Sequence, residues 1–224
     1  MLRPKMILLD LDGTLVDSVP DLAYCVDAMM ARLGRPVRGE AAVRTWVGNG
    51  IERLVRRALI GTLDGEPEEV DYQRAYPIFL ELYAENTFKR SGLYPGVREG
   101  IDFLKAAGYP LGLVTNKARC FTEPLLRHVG LYDDFGILVC GDTLPRKKPD
   151  PLPLLHAAGH FAAAPEDSLM IGDSISDVKA ARAAGFGIIC TSYGYNHGQD
   201  IRDSNPDAVI DSLTELQGLL APAA

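Results

Sequence analysis

Short apolar runs recur along the chain, and polar or small residues follow each of them. Uninterrupted apolar runs of three to five residues are typical of strands that are buried on both faces of a parallel sheet. The runs span residues 6–9, 110–114, 136–140, 169–171, 187–190 and 208–210. We therefore predict six buried strands.

Between several of these runs, apolar residues recur at helical spacing. Three such segments, residues 97–108, 121–130 and 177–185, end at a glycine, which suits the C-cap of a helix. Alternation of strands and helices is the pattern of an α/β fold, here a doubly wound, mainly parallel, Rossmann-like sheet. Ligands of such sheets bind beyond the carboxyl ends of the strands, which is where the polar residues after each run should lie.

Residues 17–87 break this alternation. Apolar residues recur there at helical spacing in three stretches, and no strand pattern is visible. Pro77 lies inside the third stretch and should kink or restart that helix. We predict an all-helical cap domain of residues 17–87, inserted into an α/β core that is formed by residues 1–16 and 88–224.

Composition narrows the classes of protein that fit. The chain has 224 residues, of which 47% are hydrophobic and 24% charged, an ordinary globular composition. The formal net charge of −7 argues against nucleic acid or an anionic membrane as a partner. The four cysteines form no Cys-x-x-Cys pair, and no apolar stretch approaches the roughly 20 residues that span a bilayer. We expect a soluble, cytoplasmic protein, in which an anionic substrate would need a local positive charge such as a metal ion.

The segment Asp10-Leu11-Asp12-Gly13-Thr14 follows the first run directly. If the chain curls there, the Asp10 carboxylate and the Asp12 backbone carbonyl can approach one cation, while the Asp12 carboxylate stays free as an acid or base. Such oxygen ligands favour Mg²⁺. The Asp10 carboxylate could then attack a phosphoryl group and form an aspartyl-phosphate, provided that nearby donors and the metal neutralise the charge.

Candidate donors and further acids follow the later runs. Thr115 and Asn116 offer a hydroxyl and an amide for phosphate oxygens, and the pair Lys147 and Lys148 offers a cation. The next run is followed by Asp173, Ser174 and Asp177. Each feature alone has an ordinary explanation as a turn, a solvated lysine or a helix cap. Because all of them follow strands of one predicted sheet, we expect them to meet at one edge.

In their order, these motifs resemble those of the haloacid dehalogenase superfamily of phosphotransferases, and the resemblance covers essentially the whole chain. It implies Asp10 as nucleophile and Asp12 as general acid and base. It further implies Thr115 and Asn116 as phosphate ligands together with Lys148, the lysine that stands directly before a proline. Asp10, Asp12 and Asp173 would hold Mg²⁺, with Asp177 and Ser174 in support. The helical insert is similar to the cap that closes over the active site in this superfamily.

Four tracts outside these motifs resemble the bacterial branch of the superfamily that hydrolyses 2-phosphoglycolate to glycolate and phosphate. They are residues 17–22, 46–50, 141–145 and 192–196. Within the insert, Gly48, Asn49 and Gly50 precede a predicted helix whose N-terminal amides could bind the substrate carboxylate, and Arg44 could add a cation. One departure is Ser176, where relatives commonly carry asparagine, although the spacing of Asp173 and Asp177 is kept.

Two other functions remain open at this point. The same chemistry could act on another small phosphate ester such as a sugar phosphate, either as a phosphatase or as a phosphomutase that transfers the group to a sugar hydroxyl. A catalytically silent member could instead act as a binding module. We expect a monomer or a homodimer.

Overall fold

A computed structural model describes residues 2–221, and two sheets are present in this part of the chain. The strands, in chain order, are β1 (Met6–Leu9), β2 (Val16–Asp17), β3 (Gly92–Leu93), β4 (Leu111–Val114), β5 (Ile137–Val139), β6 (Ser168–Gly172), β7 (Gly187–Thr191) and β8 (Ala208–Ile210). Six of them form one parallel sheet in the order β5-β4-β1-β6-β7-β8. The predicted doubly wound, mainly parallel α/β fold is confirmed.

Helices alternate with these strands and also fill the insert. They are α1 (Val19–Arg32), α2 (Glu40–Trp46), α3 (Ile51–Ile60), α4 (Glu69–Asn86), α5 (Val97–Ala106), α6 (Arg119–His128), α7 (Leu152–His160), α8 (Ile175–Ala184) and α9 (Leu216–Leu219). Between Leu2 and Ala221, no helix combines the length and the apolar character that a membrane crossing would need.

Strand β1 lies in the middle of the large sheet and is buried on both faces. Successive side chains of a strand point to opposite faces, so Ile7 and Leu9 join the apolar cluster that includes α5. Met6 and Leu8 join the cluster on the other face, which includes α7 and α8. The strand ends where the Asp10 amide donates to the Ile171 carbonyl at 2.9 Å. Asp10 is therefore held between the ends of β1 and β6.

Helices α1 to α4 lie between β2 and β3 in the sequence and share an apolar cluster of their own. Val26, Met29 and Phe79 are fully buried there, and Phe121 and Tyr195 from outside the insert pack against it. Strands β2 and β3 pair antiparallel where the chain enters and leaves the helices, with Val16 opposite Leu93. The division of the chain at residues 17–87 stays a prediction, which this arrangement supports.

Two features of the insert differ from expectation. The pattern predicted no strands near it, but two-residue strands such as β2 and β3 are too short to produce an alternation. Pro77 was expected to kink or restart the helix; it does not restart it, because α4 is one helix from Glu69 to Asn86, and a kink stays a prediction. A proline inside a helix costs about 3 kcal/mol. Buried residues on both sides of it, among them Ala75 and Phe79, pack in the same cluster and offset that cost.

Asp21 ties the first helix of the insert to the segment that returns to the core. Its fully buried carboxylate accepts hydrogen bonds from the backbone amides of Arg90 and Ser91, both at 2.9 Å, and from the Ser91 hydroxyl at 2.5 Å. We predict that Asp21→Ala lowers the free energy of unfolding by about 3 kcal/mol, because these donors lose a charged acceptor. Urea titration measures this change. Asp203→Ala, at an exposed aspartate, should stay within about 0.5 kcal/mol, and an equally small effect of Asp21→Ala would contradict the assignment.

Candidate active site

The carboxyl end of the sheet and the insert together enclose a small cavity of about 40 Å³. Its lining from the core includes Asp10, Asp12, Thr115, Asn116 and Lys117, and its lining from the insert includes Leu22, Val47, Gly48, Gly50, Ile51 and Leu54. A larger cleft of about 780 Å³ adjoins it and shares Gly50, Ile51 and Asn116. Predicted site residues from distant parts of the chain are thus brought to one place.

Lys148 lies at the centre of the buried charges. Its ammonium group lies 2.9 Å from Asp10 Oδ1, and it donates to Asp177 Oδ1 and to the Val114 carbonyl, both at 2.7 Å. Its side chain is only 2% exposed. Burial disfavours the ammonium form, but the carboxylates of Asp10 and Asp177 outweigh this effect and raise the pKa of Lys148. Lys148 therefore stays charged at the end of β1.

Asp177 orients the loop between β6 and α8. Its Oδ2 accepts from the Ser174 hydroxyl at 2.7 Å, the Ser174 amide at 3.0 Å and the Asp173 amide at 3.2 Å. Ser174 is the N-cap of α8, and Asp177 lies in its first turn, so the two residues cap that helix together. Both oxygens of Asp177 are thereby engaged, which suits the supporting role expected for Asp177 and Ser174.

Asp173 lies beside Asp10 and has a fixed orientation. It accepts hydrogen bonds from the Thr14 hydroxyl at 2.9 Å and from the Tyr195 amide at 2.6 Å. The Asp173 side chain fits only because the two neighbouring residues are glycines without a Cβ. A Cβ at Gly13 would lie 2.2 Å from Asp173 Oδ2, and a Cβ at Gly194 would lie 2.2 Å from Asp173 Cβ. Glycine also suits position 13 because its φ is +90°.

Each buried carboxylate at the strand ends disfavours ionisation of its neighbours. Burial raises the pKa of Asp10 to about 7, against the opposing effect of Lys148, and the charge of Asp177 adds to the rise. Burial and the charges of Asp177 and Asp10 also raise the pKa of Asp173. A positive charge bound between these groups would relieve both effects.

The acidic cluster fits a divalent cation. Carboxyl oxygens of Asp10, Asp173 and Asp177 lie within 4.8 Å of one another. Asp10 Oδ1 is buried, and no described donor is aligned with it for a hydrogen bond, although Lys148 forms an ion pair with it. Asp177 accepts four hydrogen bonds, whereas Asp173 accepts one at each oxygen, so Asp10 and Asp173 keep more free lone pairs for a metal than Asp177 does. Carboxylate oxygens are the ligands that hard cations prefer.

Asp12 has a partner that the sequence reasoning missed. The ammonium group of Lys117 lies 3.1 Å from Asp12 Oδ1 and 3.3 Å from Oδ2, and it donates to the Tyr83 hydroxyl of α4 at 2.5 Å. The only signal in the sequence is its place directly after Thr115 and Asn116 at the end of β4. Tyr195 lies in the tract 192–196, and no local pattern in the sequence indicates the hydrogen bond from its backbone amide to Asp173.

Asn116 of the core and Arg44 of the insert lie close to the cavity in different ways. Asn116 donates through Nδ2 to the carbonyls of Gly48, at 3.1 Å, and Lys148, at 3.0 Å, so its amide links the core to the insert. Arg44 instead forms ion pairs with Asp17 at 3.2 Å and Glu40 at 2.8 Å. Its predicted role as a substrate cation stays a prediction that would require it to leave Asp17.

Comparison with known proteins identifies the class. A family model described as haloacid dehalogenase-like hydrolase matches residues 4–185, which is most of the chain. The chain therefore belongs to the haloacid dehalogenase-like hydrolases, and the resemblance seen in its motifs is confirmed.

Relatives within this class are similar over almost the whole chain. A phosphoglycolate phosphatase of Nitrosococcus oceani is 67% identical over 222 residues, 99% of each chain. One of Nitrosospira multiformis is 47% identical over 96% of this chain and 95% of its own. A crystal structure described as a predicted phosphoglycolate phosphatase from Haemophilus somnus has a TM-score of 0.92 at 36% identity, covering 98% of this chain and 99% of that one.

Because Gly194 lies against the Asp173 side chain, a larger residue at position 194 tests whether Asp173 holds the cation. We predict that Gly194→Ala weakens binding of a divalent cation by about tenfold or more, because the new methyl group displaces the Asp173 carboxylate. Isothermal titration calorimetry measures the affinity. Gly159→Ala is the matched control, since no atom lies within 4 Å of its Cβ position, and it should bind the cation normally. Unchanged affinity in Gly194→Ala would contradict the role of Asp173.

The raised pKa values give the cation effect a pH dependence. Asp10 has a folded pKa of about 7 against a usual value of 3.8, so its favourable contribution to stability is complete below pH 3.8 and is lost as pH rises through about 7. A bound cation competes with these protons and therefore stabilises the protein more at high pH.

We predict that saturating MgCl₂, at about 100 times Kd, raises Tm by roughly 5–10 °C at pH 8 and by less than about half of this at pH 5.5. Differential scanning calorimetry against a chelator control checks the result. Asp173→Asn should abolish the increment at both pH values, and a larger increment at pH 5.5 than at pH 8 would show that the sign is wrong.

Proposed function

We propose that this protein is a Mg²⁺-dependent phosphomonoesterase that hydrolyses 2-phosphoglycolate to glycolate and phosphate. The observation that carries the proposal is the buried Asp10 carboxylate, which meets Lys148, Asp173 and the cavity that it shares with Asp12. The names of relatives that are 67% and 47% identical over nearly the full chain support the choice of substrate.

In the first step, a carboxylate oxygen of Asp10 attacks phosphorus, and the bond from phosphorus to the glycolate oxygen breaks. Protonated Asp12 gives its proton to the departing oxygen, so that glycolate leaves as the alcohol. Lys148 and the Thr115 hydroxyl offer donors to the phosphoryl oxygens, and Asn116 offers its backbone amide, because its side-chain amide group already donates to the carbonyls of Gly48 and Lys148. Mg²⁺, when held by Asp10, Asp173 and the Asp12 backbone carbonyl, supplies positive charge that offsets the repulsion between carboxylate and phosphate.

In the second step, the Asp12 carboxylate takes a proton from a water molecule while the water oxygen attacks phosphorus. The bond between phosphorus and Asp10 breaks, which releases phosphate and restores both carboxyl groups. Asp12 thus ends protonated again, with a proton that comes from the water molecule. Asp177 and Ser174 keep the loop of Asp173 in place through the hydrogen bonds described above.

Residues 17–87 act in this proposal as a cap that selects small substrates. The cavity between the insert and Asp10 measures only about 40 Å³, so a sugar phosphate would have to displace the insert further than a two-carbon acid would. Gly48 and Gly50 line it, and α3 begins at Ile51, so the amides of Asn49, Gly50 and the first turn could meet the substrate carboxylate. The adjoining cleft of about 780 Å³ offers a route of entry.

The remaining expectations concern the setting of the enzyme. All four cysteines are free thiols, and Cys25, Cys140 and Cys190 are buried, which supports a reducing compartment such as the cytoplasm. A small anionic ester is the proposed partner, and nucleic acid is disfavoured by the net charge of −7.

Substrate preference is tested with a panel of small phosphate esters. We predict that kcat/KM for 2-phosphoglycolate exceeds that for glucose 1-phosphate by at least about 100-fold, because the sugar would displace the insert further from the core. Release of inorganic phosphate is measured with MgCl₂ and with a chelator. Equal turnover of the sugar phosphate would contradict the proposed substrate, and an isomeric sugar phosphate without phosphate release would identify a phosphomutase.

The nucleophile is tested by substitution. We predict that Asp10→Asn lowers kcat by about 10³-fold or more, because the amide cannot form the aspartyl-phosphate. Phosphate release and acid trapping of the phosphorylated protein provide the measurement. Asp203→Asn, at an exposed position, should behave as the unaltered protein. Normal turnover by Asp10→Asn would rule out the mechanism.

A further inference from the structure

Lys117 is a buried cation for which the proposed chemistry has no use so far. Its side chain is 2% exposed, and its ammonium group contacts both carboxylate oxygens of Asp12 and the hydroxyl of Tyr83. An ammonium group has three hydrogens to donate, and these three acceptors surround it. A buried charge is tolerated only where partners of this kind compensate for the loss of water.

We propose that Lys117 is a positioning residue, which holds the Asp12 carboxyl group in the orientation for proton exchange, and that Tyr83 makes this orientation depend on helix α4 of the insert. The inference rests on the proposed function, because it assumes that Asp12 acts as the acid and base.

The backbone around Lys117 is fixed from several sides. The Lys117 amide donates to the Thr115 hydroxyl at 3.2 Å, and the Lys117 carbonyl accepts from the Gly141 amide at 2.8 Å. The Thr122 hydroxyl also lies 3.4 Å from that carbonyl. Because both the amide and the carbonyl of Lys117 are hydrogen-bonded, its backbone is fixed, and its ammonium group has a defined position from which to orient the Asp12 carboxylate.

Tyr83 is fixed as firmly from the side of the insert. Its ring is fully buried and lies 4.8 Å from the ring of Phe121 in α6 and 5.5 Å from that of Phe79 in α4, measured between centroids. The contact between α4 and α6 therefore sets where the hydroxyl acceptor of Lys117 lies. If α4 moves away from the core, Lys117 loses this acceptor, and the orientation of Asp12 is no longer defined on that side.

The near-equal distances to the two Asp12 oxygens distinguish this contact from that of Lys148. Lys148 approaches one oxygen of Asp10 and leaves the carboxylate otherwise open to phosphorus or a metal. Lys117 lies 3.1 Å and 3.3 Å from the two oxygens of Asp12, a bridging arrangement that restricts rotation of the carboxyl group. Proton transfer requires the acid within about 2.6–3.2 Å of the departing oxygen, so this restriction bears directly on the rate.

The test compares two small esters that differ in their need for an acid. The glycolate oxygen of 2-phosphoglycolate must be protonated as it leaves, whereas acetyl phosphate releases acetate, a stable anion. With enzyme in excess and MgCl₂ present, a single turnover measures only the cleavage step. We expect Lys117→Met to slow cleavage of 2-phosphoglycolate roughly 10–100-fold and that of acetyl phosphate less than about 3-fold.

Further variants separate positioning from a structural role. Lys117→Arg should recover part of the lost rate, and Tyr83→Phe should slow only the cleavage of 2-phosphoglycolate, by about 3–10-fold. Lys179→Met removes an exposed lysine of α8 and should change neither rate. Adding Lys117→Met to Asp12→Asn should have less than about a 2-fold effect, since the group to be positioned is already absent.

Equal losses on both esters, or an additive effect on top of Asp12→Asn, would overturn the inference. So would an increase in KM for 2-phosphoglycolate with unchanged kcat, which would make Lys117 a ligand of the substrate carboxylate instead. Failure of the proposed function looks different: the unaltered protein would then fail to cleave 2-phosphoglycolate, or Asp10→Asn would retain activity.

Discussion

Three carboxyl groups, those of Asp10, Asp173 and Asp177, share one buried space with the ammonium group of Lys148. Carboxylates this close cannot all be charged without compensation, and burial makes the repulsion stronger than it would be in water. The ammonium group of Lys148 compensates for two of these charges, because it lies 2.9 Å from Asp10 Oδ1 and 2.7 Å from Asp177 Oδ1. Burial, together with the repulsion that remains, raises the pKa values of Asp10 and Asp173, and a further positive charge would oppose this rise.

The surrounding fold keeps this unfavourable cluster together. Strand β1 pairs with β4 on one side and β6 on the other, so the loops after these strands must meet at the same edge of the sheet. Glycines at positions 13 and 194 allow the backbone to approach Asp173 more closely than any other residue would permit. The apolar clusters on both faces of the sheet supply the stability, while the strand ends retain groups that would otherwise separate.

The sequence predicted the parts of the structure that follow from local pattern. Apolar runs identified the six strands of the sheet, and the parallel arrangement brought Asp10, Thr115, Lys148 and Asp173 to one edge. Hydrogen bonds between side chains or amides that are distant in the sequence could not be predicted from local pattern. The hydrogen bond from the Tyr195 backbone amide to the Asp173 carboxylate joins residues 22 positions apart. The hydrogen bond from the Lys117 ammonium group to the Tyr83 hydroxyl joins the core to the insert. Arg44 is an example in which local pattern suggested a contact that the structure does not contain. The sequence indicated it as a cation for the substrate, but its guanidinium group forms an ion pair with Asp17.

In the proposed reaction, closure of the insert must satisfy two opposing demands. Electrostatic stabilisation of the phosphoryl group is stronger when bulk water is absent, yet the second step consumes a water molecule. The cavity of about 40 Å³ beside Asp12 leaves room for only a few water molecules. The same closure places Tyr83 of α4 against Lys117, which contacts Asp12. Exclusion of bulk water and orientation of the base would then arise from a single movement, so that Asp12 is ordered only when the water it activates is confined beside it.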